Sequence, residues 1–170
     1  MSRVLVTGAN RGIGAACALA FARQGARVAL ADIRLPQDTA AAAEAAGAAE
    51  VVSLSCDVSD AAPVAALGAS IDATFGGLDV LVHCAGIIHE APLLETPVAD
   101  FDRVIGVNLR GSFLIGQMAI GRMTGSADAP ARAILIASDM AYYGRETFSP
   151  YVASKHGVLG LVRSWAKEFA

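Results

Sequence analysis

The sequence predicts a doubly wound α/β fold, a parallel sheet with helices on both faces in three layers (α/β/α). Five short apolar runs alternate with alanine-rich helical segments, and this alternation is typical of a parallel sheet. A glycine-rich turn joins the first run to the first helix. The chain has 170 residues, 55% of them hydrophobic, and shows no internal repeat or linker, which indicates one domain with one core.

The charge pattern limits the partners of the chain. Its net charge is -3, and its lysines and arginines form no basic run of the kind that binds nucleic acids or anionic membranes. No apolar stretch reaches the roughly 18 residues of a membrane span, and the first residues lack the pattern of a signal peptide. We therefore expect a cytoplasmic protein with small-molecule partners.

The cysteines indicate neither a disulfide framework nor a metal site. Cys17, Cys56 and Cys84 are an odd number at wide spacing, each in an apolar context, so free thiols are the simplest interpretation. Cys84 and the adjacent His83 point to opposite faces of a strand, which favours packing or hydrogen bonding in the core over metal binding. No metal site is expected.

The first strand, at residues 4–6, runs into a glycine-rich turn and then a helix over about residues 15–24. Glycines let the backbone turn sharply and approach a pyrophosphate, whose charge then meets the free N–H groups at the start of the helix. The spacing Gly-x3-Gly-x-Gly differs from the commoner dinucleotide fingerprint, so a plain tight turn is the alternative. The candidate cofactor-binding residues of this turn are Gly8, Asn10, Arg11, Gly12, Ile13 and Gly14.

The second strand, at residues 27–31, ends at a carboxylate, Asp32. In this position a carboxylate accepts hydrogen bonds from the ribose hydroxyls of an adenosine. The same charge repels a 2'-phosphate. The strand, the helix and Asp32 together favour a nucleotide site over a plain turn.

The third strand, at residues 51–55, follows an alanine-rich helix within residues 36–49 and leads to Asp57. Ligands of open parallel sheets bind at the carboxyl ends of the strands, so we assign Asp57 to the adenine edge of the cofactor. The alternative is that Asp57 caps the next turn, or that Ser59 or Asp60 caps the helix that follows.

The fourth strand is predicted at residues 78–82, after a helix over residues 61–75. Ala85 and Gly86 follow it closely. Small residues at this point permit close approach of a ligand to the backbone, so both are candidate cofactor-binding residues.

A long helix is predicted over residues 100–123, with Asn108 in its middle. Asparagine is unfavourable inside a helix, so we expect a local reason such as a backbone kink with a water relay. After a surface loop at residues 125–131, the fifth strand, at residues 133–137, places Ser138 at its carboxyl end. The hydroxyl of Ser138 is a candidate contact for a substrate oxygen, and a turn-forming serine is the alternative.

The last helix is expected to begin at Ser149 as N-cap, with Pro150 in the first helical position. Tyr151 and Lys155 are four residues apart and therefore lie on one face of this helix. A neighbouring cation stabilises the phenolate form of a tyrosine, which makes the pair a candidate acid/base device. A solvated helix face is the alternative interpretation of the same spacing.

Together these motifs resemble those of the short-chain dehydrogenase/reductase family, in the family's order and approximate spacing, from end to end of the chain. The resemblance implies a single Rossmann-like NAD(P)-binding domain over residues 1–170, and hydride transfer between the cofactor and a CH–OH group. The motifs that carry the resemblance are Thr7-Gly8 through Gly14, Asp57-Val58, Ala85-Gly86, Asn108, Ser138 and Tyr151 to Lys155.

The resemblance also implies roles for individual residues. Tyr151 would be the catalytic acid/base, and Lys155 would favour its phenolate form and hold the nicotinamide ribose. Ser138 would hydrogen-bond the reacting oxygen, and Asn108 would hold a water that relays protons to Lys155. Outside the glycine turn, the candidate cofactor-binding residues are Asp32, Asp57, Val58, Ala85, Gly86, Tyr151 and Lys155.

Three features depart from the family pattern. His83-Cys84 stands where Asn-Asn is common, and Asp139, next to Ser138, stands where a second serine is common. The family fold also continues past the helix that bears Tyr151, whereas this sequence ends at Ala170 within an apolar-periodic helix. We therefore expect a longer protein that includes the C-terminal part of the fold. An intact mass matching these 170 residues alone would contradict this expectation.

Two opposing signals bear on the choice of cofactor. Asp32 favours NAD by like-charge repulsion of a 2'-phosphate, whereas Arg11 resembles the basic residue of NADP-using family members. The repulsion acts at the 2'-phosphate, the group that distinguishes NADP from NAD, so we expect NAD rather than NADP.

The substrate is expected to be a secondary alcohol or ketone, with polyol, sugar and 3-oxoacyl types all open. Residues 88–90 and 140–148 would flank it, although His89 and Glu90 also fit a solvated loop. A non-catalytic nucleotide-binding regulatory or scaffold protein with the same fold is the alternative function. We expect a homo-oligomer, a tetramer or dimer, because the helices at 100–123 and 152–169 carry more apolar surface than one sheet face needs.

Overall fold

The computed structural model of the protein describes residues 1–126 and 129–169. The strands in this part of the chain are β1 Arg3–Thr7, β2 Arg27–Asp32, β3 Glu50–Ser55, β4 Val80–His83 and β5 Arg132–Leu135. They form one parallel sheet in the order β3-β2-β1-β4-β5. Because β1 is central and strands are added first on one side and then on the other, the sheet is doubly wound, which confirms the predicted fold class.

Helices follow the strands along the chain and cover the sheet. None of the helices within the described residues is both long and apolar enough to cross a membrane. The helices are α1 Gly12–Ala22, α2 Gln37–Ala45, α3 Ala61–Phe75, α4 Val98–Ile105, α5 Gly111–Ile120 and α6 Ser149–Glu168.

Side chains that alternate along the strands enter two separate cores. On one face of the sheet, Leu5 of β1 packs with Ile71 of α3 and Ile115 of α5. On the other face, Val6 of β1 packs with Ala18 of α1. Strands covered on both faces are apolar at successive positions, which explains the short unbroken apolar runs of the sequence.

Helix α1 begins earlier than predicted. The backbone N–H of Ala15 donates to the carbonyl of Arg11 at 3.4 Å, so the first helical turn closes on Arg11 and the helix starts at Gly12. The last glycines of the turn are therefore already part of the helix, and the N-terminus of α1 lies directly beside the turn.

The N-cap of α6 is Phe148 rather than Ser149, which corrects the prediction by one residue. The carbonyl of Phe148 accepts a hydrogen bond from the backbone N–H of Val152 at 2.9 Å, so it closes the first helical turn. Pro150 lies in that first turn, where a missing N–H costs no hydrogen bond.

The long helix predicted at 100–123 is interrupted, so that prediction was wrong. A π-helical turn, Gly106–Arg110, separates α4 from α5, and Asn108 lies within it. The side-chain oxygen of Asn108 accepts from the backbone N–H of Ile87 at 2.8 Å, which draws the turn towards the loop after β4. The kink expected at Asn108 is therefore a π-helical turn, a feature that is frequent at functional sites.

Strand β5 ends two residues before its predicted end. The carbonyl of Ile136, directly after Leu135, accepts a hydrogen bond from Lys155 Nζ at 2.7 Å. Ser138 consequently lies beyond the strand, where it caps the short 3-10 helix Asp139–Ala141. The predicted position of Ser138 at the strand end is thus shifted into a turn.

Strand β4 starts at Val80 rather than at Leu78. Leu78 pairs with Met123 in an isolated bridge instead of joining the strand. Of the loop predicted at residues 125–131, residues 127–128 lie outside the described residues.

Candidate active site

A cleft of about 390 Å³ opens at the carboxyl ends of β1 to β4. Most of the predicted cofactor-binding residues line it, and three of them, Asn10, Tyr151 and Lys155, do not. Sequence reasoning missed several lining residues, and each of them adjoins a predicted site residue along the chain, a signal that could have found them. The predicted residues in the lining are Gly8, Arg11, Gly12, Ile13, Gly14, Asp32, Asp57, Val58, Ala85 and Gly86. The additional ones are Ile33, Cys56, Cys84, Ile87 and Val107.

The glycine turn is packed so closely that two of its glycines have no room for a side chain. A Cβ on Gly14 would lie 2.1 Å from the carbonyl oxygen of Gly8, and one on Gly8 would lie 2.7 Å from the backbone nitrogen of Ala85. Gly8 also has a φ of +65°, which glycine adopts freely. The backbone at the start of α1 therefore faces the cleft directly, and this arrangement fits the pyrophosphate of a dinucleotide.

Asp32 is held at the end of β2 by the glycine turn. Its Oδ2 accepts a hydrogen bond from the backbone N–H of Asn10 at 2.9 Å, so Asn10 contacts a cleft-lining residue without lining the cleft itself. The backbone N–H of Arg34 lies 3.5 Å from the other oxygen. Arg11, which lines the cleft, and Arg34, two residues after Asp32 along the chain, are both exposed.

Asp57 both lines the cleft and makes a local turn. Its Oδ1 accepts from the backbone N–H of Ser59 at 2.9 Å and from the hydroxyl of Ser59 at 2.7 Å. The N-cap of α3 is Asp60, which accepts from the backbone N–H of Ala62 at 3.1 Å. Asp57 therefore caps its own turn and Asp60 caps α3, as the two capping alternatives predicted. Asp57 also lines the cleft.

Tyr151 and Lys155 come together on α6, as their spacing predicts. Lys155 Nζ lies 5.6 Å from the centroid of the Tyr151 ring. The Lys155 side chain is buried, only 6% exposed, and burial lowers the pKa of its ammonium group below the usual range. A Cβ on Gly86 would lie 3.7 Å from Lys155 Nζ, so the cleft wall at Gly86 adjoins this cation.

Asn108 links the loop after β4 to α6, the helix that carries Tyr151 and Lys155. Its side-chain nitrogen donates to the carbonyl of Ile87 at 2.9 Å and to the hydroxyl of Ser154 at 3.0 Å. The Ser154 hydroxyl in turn donates to the backbone carbonyl of Tyr151 at 2.7 Å. Asn108 is 1% exposed, so these bonds lie in the protein interior and fix the position of α6 relative to the cleft.

The hydroxyl of Ser138 is engaged within its own turn. It donates to Asp139 Oδ1 at 2.9 Å and accepts from the backbone N–H of Met140 at 3.2 Å. The phenol of Tyr143 donates to the second oxygen of Asp139. Asp139 therefore faces Ser138 rather than pointing away from it.

His83 lies in the core beside Lys155, as expected of a residue that hydrogen-bonds rather than binds metal. Its Nδ1 shares a hydrogen bond of 2.6 Å with the hydroxyl of Thr7, while Nε2 has no partner within the described residues. Burial, and to a lesser extent the charge of Lys155, lowers the pKa of His83 to about 3. His83 is therefore neutral at pH 7, and Lys155 is the cation beside it.

The two segments predicted to flank the substrate contact each other. The backbone N–H of Ala91 donates to the carbonyl of Thr147 at 2.9 Å, and the hydroxyl of Thr147 lies 3.4 Å from Glu90 Oε1. His89 Nδ1 lies 3.8 Å from Asp100 Oδ1 on α4. No group of three or more metal-ligating side chains occurs in residues 1–126 and 129–169.

The fold and the cleft are those of a Rossmann-like α/β domain, with a glycine turn at the first strand and an acidic residue at the end of the second. The sequence profile described as short chain dehydrogenase matches residues 2–170. The chain therefore belongs to the short-chain dehydrogenase/reductase family, whose members use NAD(P).

Individual relatives agree with this family. D-threitol dehydrogenase of Mycolicibacterium smegmatis is 39% identical over 166 residues, which are 97% of this chain and 63% of that protein. Galactitol 2-dehydrogenase of Agrobacterium fabrum is 36% identical over 162 residues, 95% of this chain and 62% of that protein. The crystal structure of a dehydrogenase/reductase from Sinorhizobium meliloti 1021 has a TM-score of 0.89 and 36% identity, and the match covers 98% of this chain and 66% of that one. The chain thus spans less than two thirds of the length of the two named dehydrogenases.

Replacement of His83 by asparagine is expected to flatten the dependence of stability on pH. Above pH ~6.5, His83 is neutral in both the folded and the unfolded chain, so the fold keeps its full stability. As the pH falls from there towards the folded-state pKa of about 3, this part of the free energy of unfolding is lost. The unfolded chain binds a proton in that window and the folded chain does not. Between about pH 7 and about pH 5, the unmodified protein should lose ~2 kcal/mol more of its free energy of unfolding than His83→Asn.

Urea unfolding at both pH values measures this difference. His156→Asn is the matched control, because His156 is an exposed histidine on α6 and its replacement should leave the slope unchanged. Equal losses in the unmodified protein and in His83→Asn would show that His83 is not the group responsible.

Proposed function

We propose that this chain carries the nucleotide site and the acid/base pair of an oxidoreductase that transfers a hydride between NAD(H) and a secondary alcohol or ketone. The observation that carries the proposal is the buried Lys155 ammonium, 5.6 Å from the centroid of the Tyr151 ring and next to the cleft wall at Gly86. A buried ammonium is costly to the fold even when it is hydrogen-bonded, and ionisable groups with perturbed pKa values cluster at functional sites, so the position of Lys155 beside a phenol supports a functional role.

The chemistry assigned to the chain is proton transfer at the phenolic oxygen of Tyr151. The fixed charge of Lys155 stabilises the phenolate, so Tyr151 can take a proton from an alcohol and return it to a ketone oxygen. Burial lowers the pKa of Lys155 below its usual value. NAD, when bound, would accept or supply the hydride.

Asn108 and Ser138 have supporting roles in this proposal. Asn108 fixes α6 through Ser154, and we assign to it the water that passes protons on to Lys155. Ser138 is assigned to the reacting oxygen of the substrate. Its turn packs against α6, the helix that carries Tyr151.

NAD is the proposed cofactor, held by the residues that line the cleft together with Asn10, Tyr151 and Lys155. The backbone of Asn10 fixes the carboxylate of Asp32 at the end of β2, and like charge disfavours a 2'-phosphate there. Arg11 is exposed and lines the cleft, and Arg34 is exposed two residues after Asp32, so these are the basic residues that would favour NADP. The fixed position of Asp32 supports NAD over NADP.

A polyol or sugar alcohol is the substrate class that we propose to test first. The two named relatives are dehydrogenases of sugar alcohols. The segments on either side of the proposed substrate position carry exposed polar groups suited to several hydroxyls, including Glu90 and Glu146. Compounds of the 3-oxoacyl type belong in the same panel.

We also propose that the protein forms a homo-oligomer and that it is cytoplasmic. Large apolar side chains are exposed before and along α4 and α5, and Leu94 is 97% exposed. The exposed residues of this surface are Leu93, Leu94, Val98, Phe101 and Phe113. The cytoplasmic location is supported by the free thiols of Cys17, Cys56 and Cys84.

Sedimentation of the full-length protein is expected to show a dimer or tetramer, because several large apolar side chains exposed on consecutive elements are typical of an association site. Serine substitution of Leu94 and Phe113 should shift the distribution towards the monomer. A protein that sediments as a monomer at all accessible concentrations would contradict the oligomer.

Replacement of Tyr151 by phenylalanine is expected to lower kcat for NAD-linked alcohol oxidation by a factor of ~10²–10⁴, the usual contribution of a positioned acid/base group. The affinity for NAD should stay unchanged, because the change removes one oxygen and leaves the ring. The measurement is steady-state oxidation of a panel of polyols, sugars and secondary alcohols, together with NAD binding by calorimetry.

Ser70→Ala is the control for this change, since Ser70 lies on α3 outside the cleft lining and the loss of its hydroxyl should leave kcat intact. An unmodified full-length protein that binds NAD and oxidises or reduces nothing on the panel would support the non-catalytic alternative instead. A Tyr151→Phe variant that keeps full activity would remove Tyr151 from the mechanism.

Replacement of Asp32 by asparagine is expected to raise the ratio of kcat/KM with NADP to kcat/KM with NAD about tenfold, which corresponds to ~1.4 kcal/mol. The amide oxygen can still accept from the N–H of Asn10, so the change removes the charge and keeps the turn. Asp38→Asn, an exposed carboxylate in the first turn of α2, is the control. A clear preference of the unmodified protein for NADPH over NADH would overturn the cofactor proposal.

A further inference from the structure

Two of the cysteines, Cys17 and Cys84, lie between α1 and the end of β4, and we call them the cysteine pair. Both are partly exposed free thiols, and both pack against the core to which Val82 of β4 and Ala18 of α1 belong. Side chains two residues apart along a strand point to the same face of the sheet, so Cys84 points, like Val82, towards the face that α1 covers. Cys17 reaches this core from α1.

The glycine turn connects the two positions through close backbone contacts. The backbone N–H of Cys84 donates to the carbonyl of Thr7 at 3.1 Å, so Cys84 lies beside the start of the turn. A Cβ on Gly8 would lie 2.8 Å from the carbonyl carbon of Cys84, and one on Gly14 would lie 2.1 Å from the carbonyl oxygen of Gly8. Cys17 is three residues after Gly14 and therefore lies on the same face of α1. Cys17 and Cys84 thus lie on either side of one tight glycine contact.

The thiol groups of the cysteine pair contact each other. Burial, and then the charge and the hydrogen bond of Cys17, raise the pKa of the Cys84 thiol to about 11. A hydrogen bond between two thiols requires that their sulfur atoms be in contact. Cys84 also lines the cleft, so a small solute can reach the pair from there.

We propose that the cysteine pair is an oxidation site, at which Cys17 and Cys84 form a disulfide that weakens the binding of NAD in the cleft. The modification itself is independent of the proposed function, and its effect on NAD rests on that function. Disulfides of cytoplasmic proteins are usually transient, and many of them sense redox conditions. Two adjacent thiols, one of which lines the cofactor cleft, are suited to this role.

Hydrogen peroxide is the oxidant in this proposal. The Cys84 thiolate attacks one peroxide oxygen, the O–O bond breaks, and the hydroxide that leaves takes up the thiol proton as water. The Cys17 thiolate then attacks the sulfur of the resulting sulfenic acid, the S–O bond breaks, and a second water forms with the proton of Cys17. The two thiols lose two electrons and the peroxide gains them. Most of Cys84 is protonated at neutral pH, so the reaction is slow and the pair stays reduced without added oxidant.

The disulfide is expected to disturb the nucleotide site because the glycine turn has no spare room. Disulfide sulfurs are about 2 Å apart, whereas non-bonded heavy atoms in contact are roughly 3.5–4 Å apart. Formation of the bond therefore shifts α1 relative to the end of β4, and Gly8 is packed tightly between them. The N–H groups at the start of α1 move with the helix. We expect the Kd for NAD to rise about tenfold to hundredfold, the worth of one hydrogen bond to a charged group.

The test oxidises the full-length protein with hydrogen peroxide at mildly alkaline pH and then blocks the remaining thiols with iodoacetamide. Trypsin cleaves after Arg11 and Arg23, and chymotrypsin cleaves after Phe75, so these three cysteines fall on separate peptides. Mass spectrometry should find the peptides of Cys17 and Cys84 joined, and dithiothreitol should separate them. Calorimetry should show that NAD affinity falls on oxidation and returns with dithiothreitol.

Cys17→Ser and Cys17→Ala remove the partner thiol, so both should form no cross-link and keep their NAD affinity after peroxide treatment. Cys56→Ser is the matched control, because Cys56 belongs to the core on the other face of the sheet. This variant should keep both the cross-link and the loss of affinity. Each variant is compared with its own reduced form.

Three results would each overturn the inference and leave the proposed function standing. They are the absence of a cross-link between Cys17 and Cys84, a cross-linked protein that binds NAD as tightly as the reduced one, and a loss of affinity that persists in both Cys17 variants. A reduced protein that binds no NAD contradicts the proposed function and, with it, the control of NAD binding.

Discussion

The bond from the Lys155 ammonium to the carbonyl of Ile136 is the interaction on which the site depends. A buried ammonium needs partners, since an unpaired charge in the interior is strongly unfavourable. This carbonyl is free to accept because β5 has already ended at Leu135. The end of the strand and the position of α6 are therefore set together, and Tyr151, on the same face of α6, is placed by that anchor.

The overall fold could be predicted from the sequence because its determinants are local. Short apolar runs gave the strand positions, and the glycine turn and Asp32 placed the nucleotide end of the sheet. The sequence predicted a kink at Asn108 but not its form, a π-helical turn. This turn involves a side-chain bond to the backbone of Ile87, which is distant along the chain. The early end of β5 was also missed, and the carbonyl of the next residue, Ile136, accepts from Lys155, which is distant along the chain.

The candidate site shows the same division between local and distant determinants. Most residues that line the cleft could be predicted because they lie at strand ends, which the sequence alone can locate. Ser138, in contrast, was predicted at a strand end and lies in a turn. Asn10 was identified as a binding residue, yet its backbone acts through Asp32 and its side chain does not line the cleft. The bonds that tie Asp139 to Ser138 and Tyr143 follow from turn geometry, which a one-letter pattern does not encode.

The side-chain amide of Asn108 accepts a hydrogen bond from the N–H of Ile87 and donates one to its carbonyl, two groups of opposite polarity on one residue. Only a side chain that presents donor and acceptor side by side can do so at this length. Aspartate, its isostere, lacks the donor, and leucine lacks both functions. Either replacement would therefore lose at least one bond to Ile87, although Asn108 is buried and does not line the cleft.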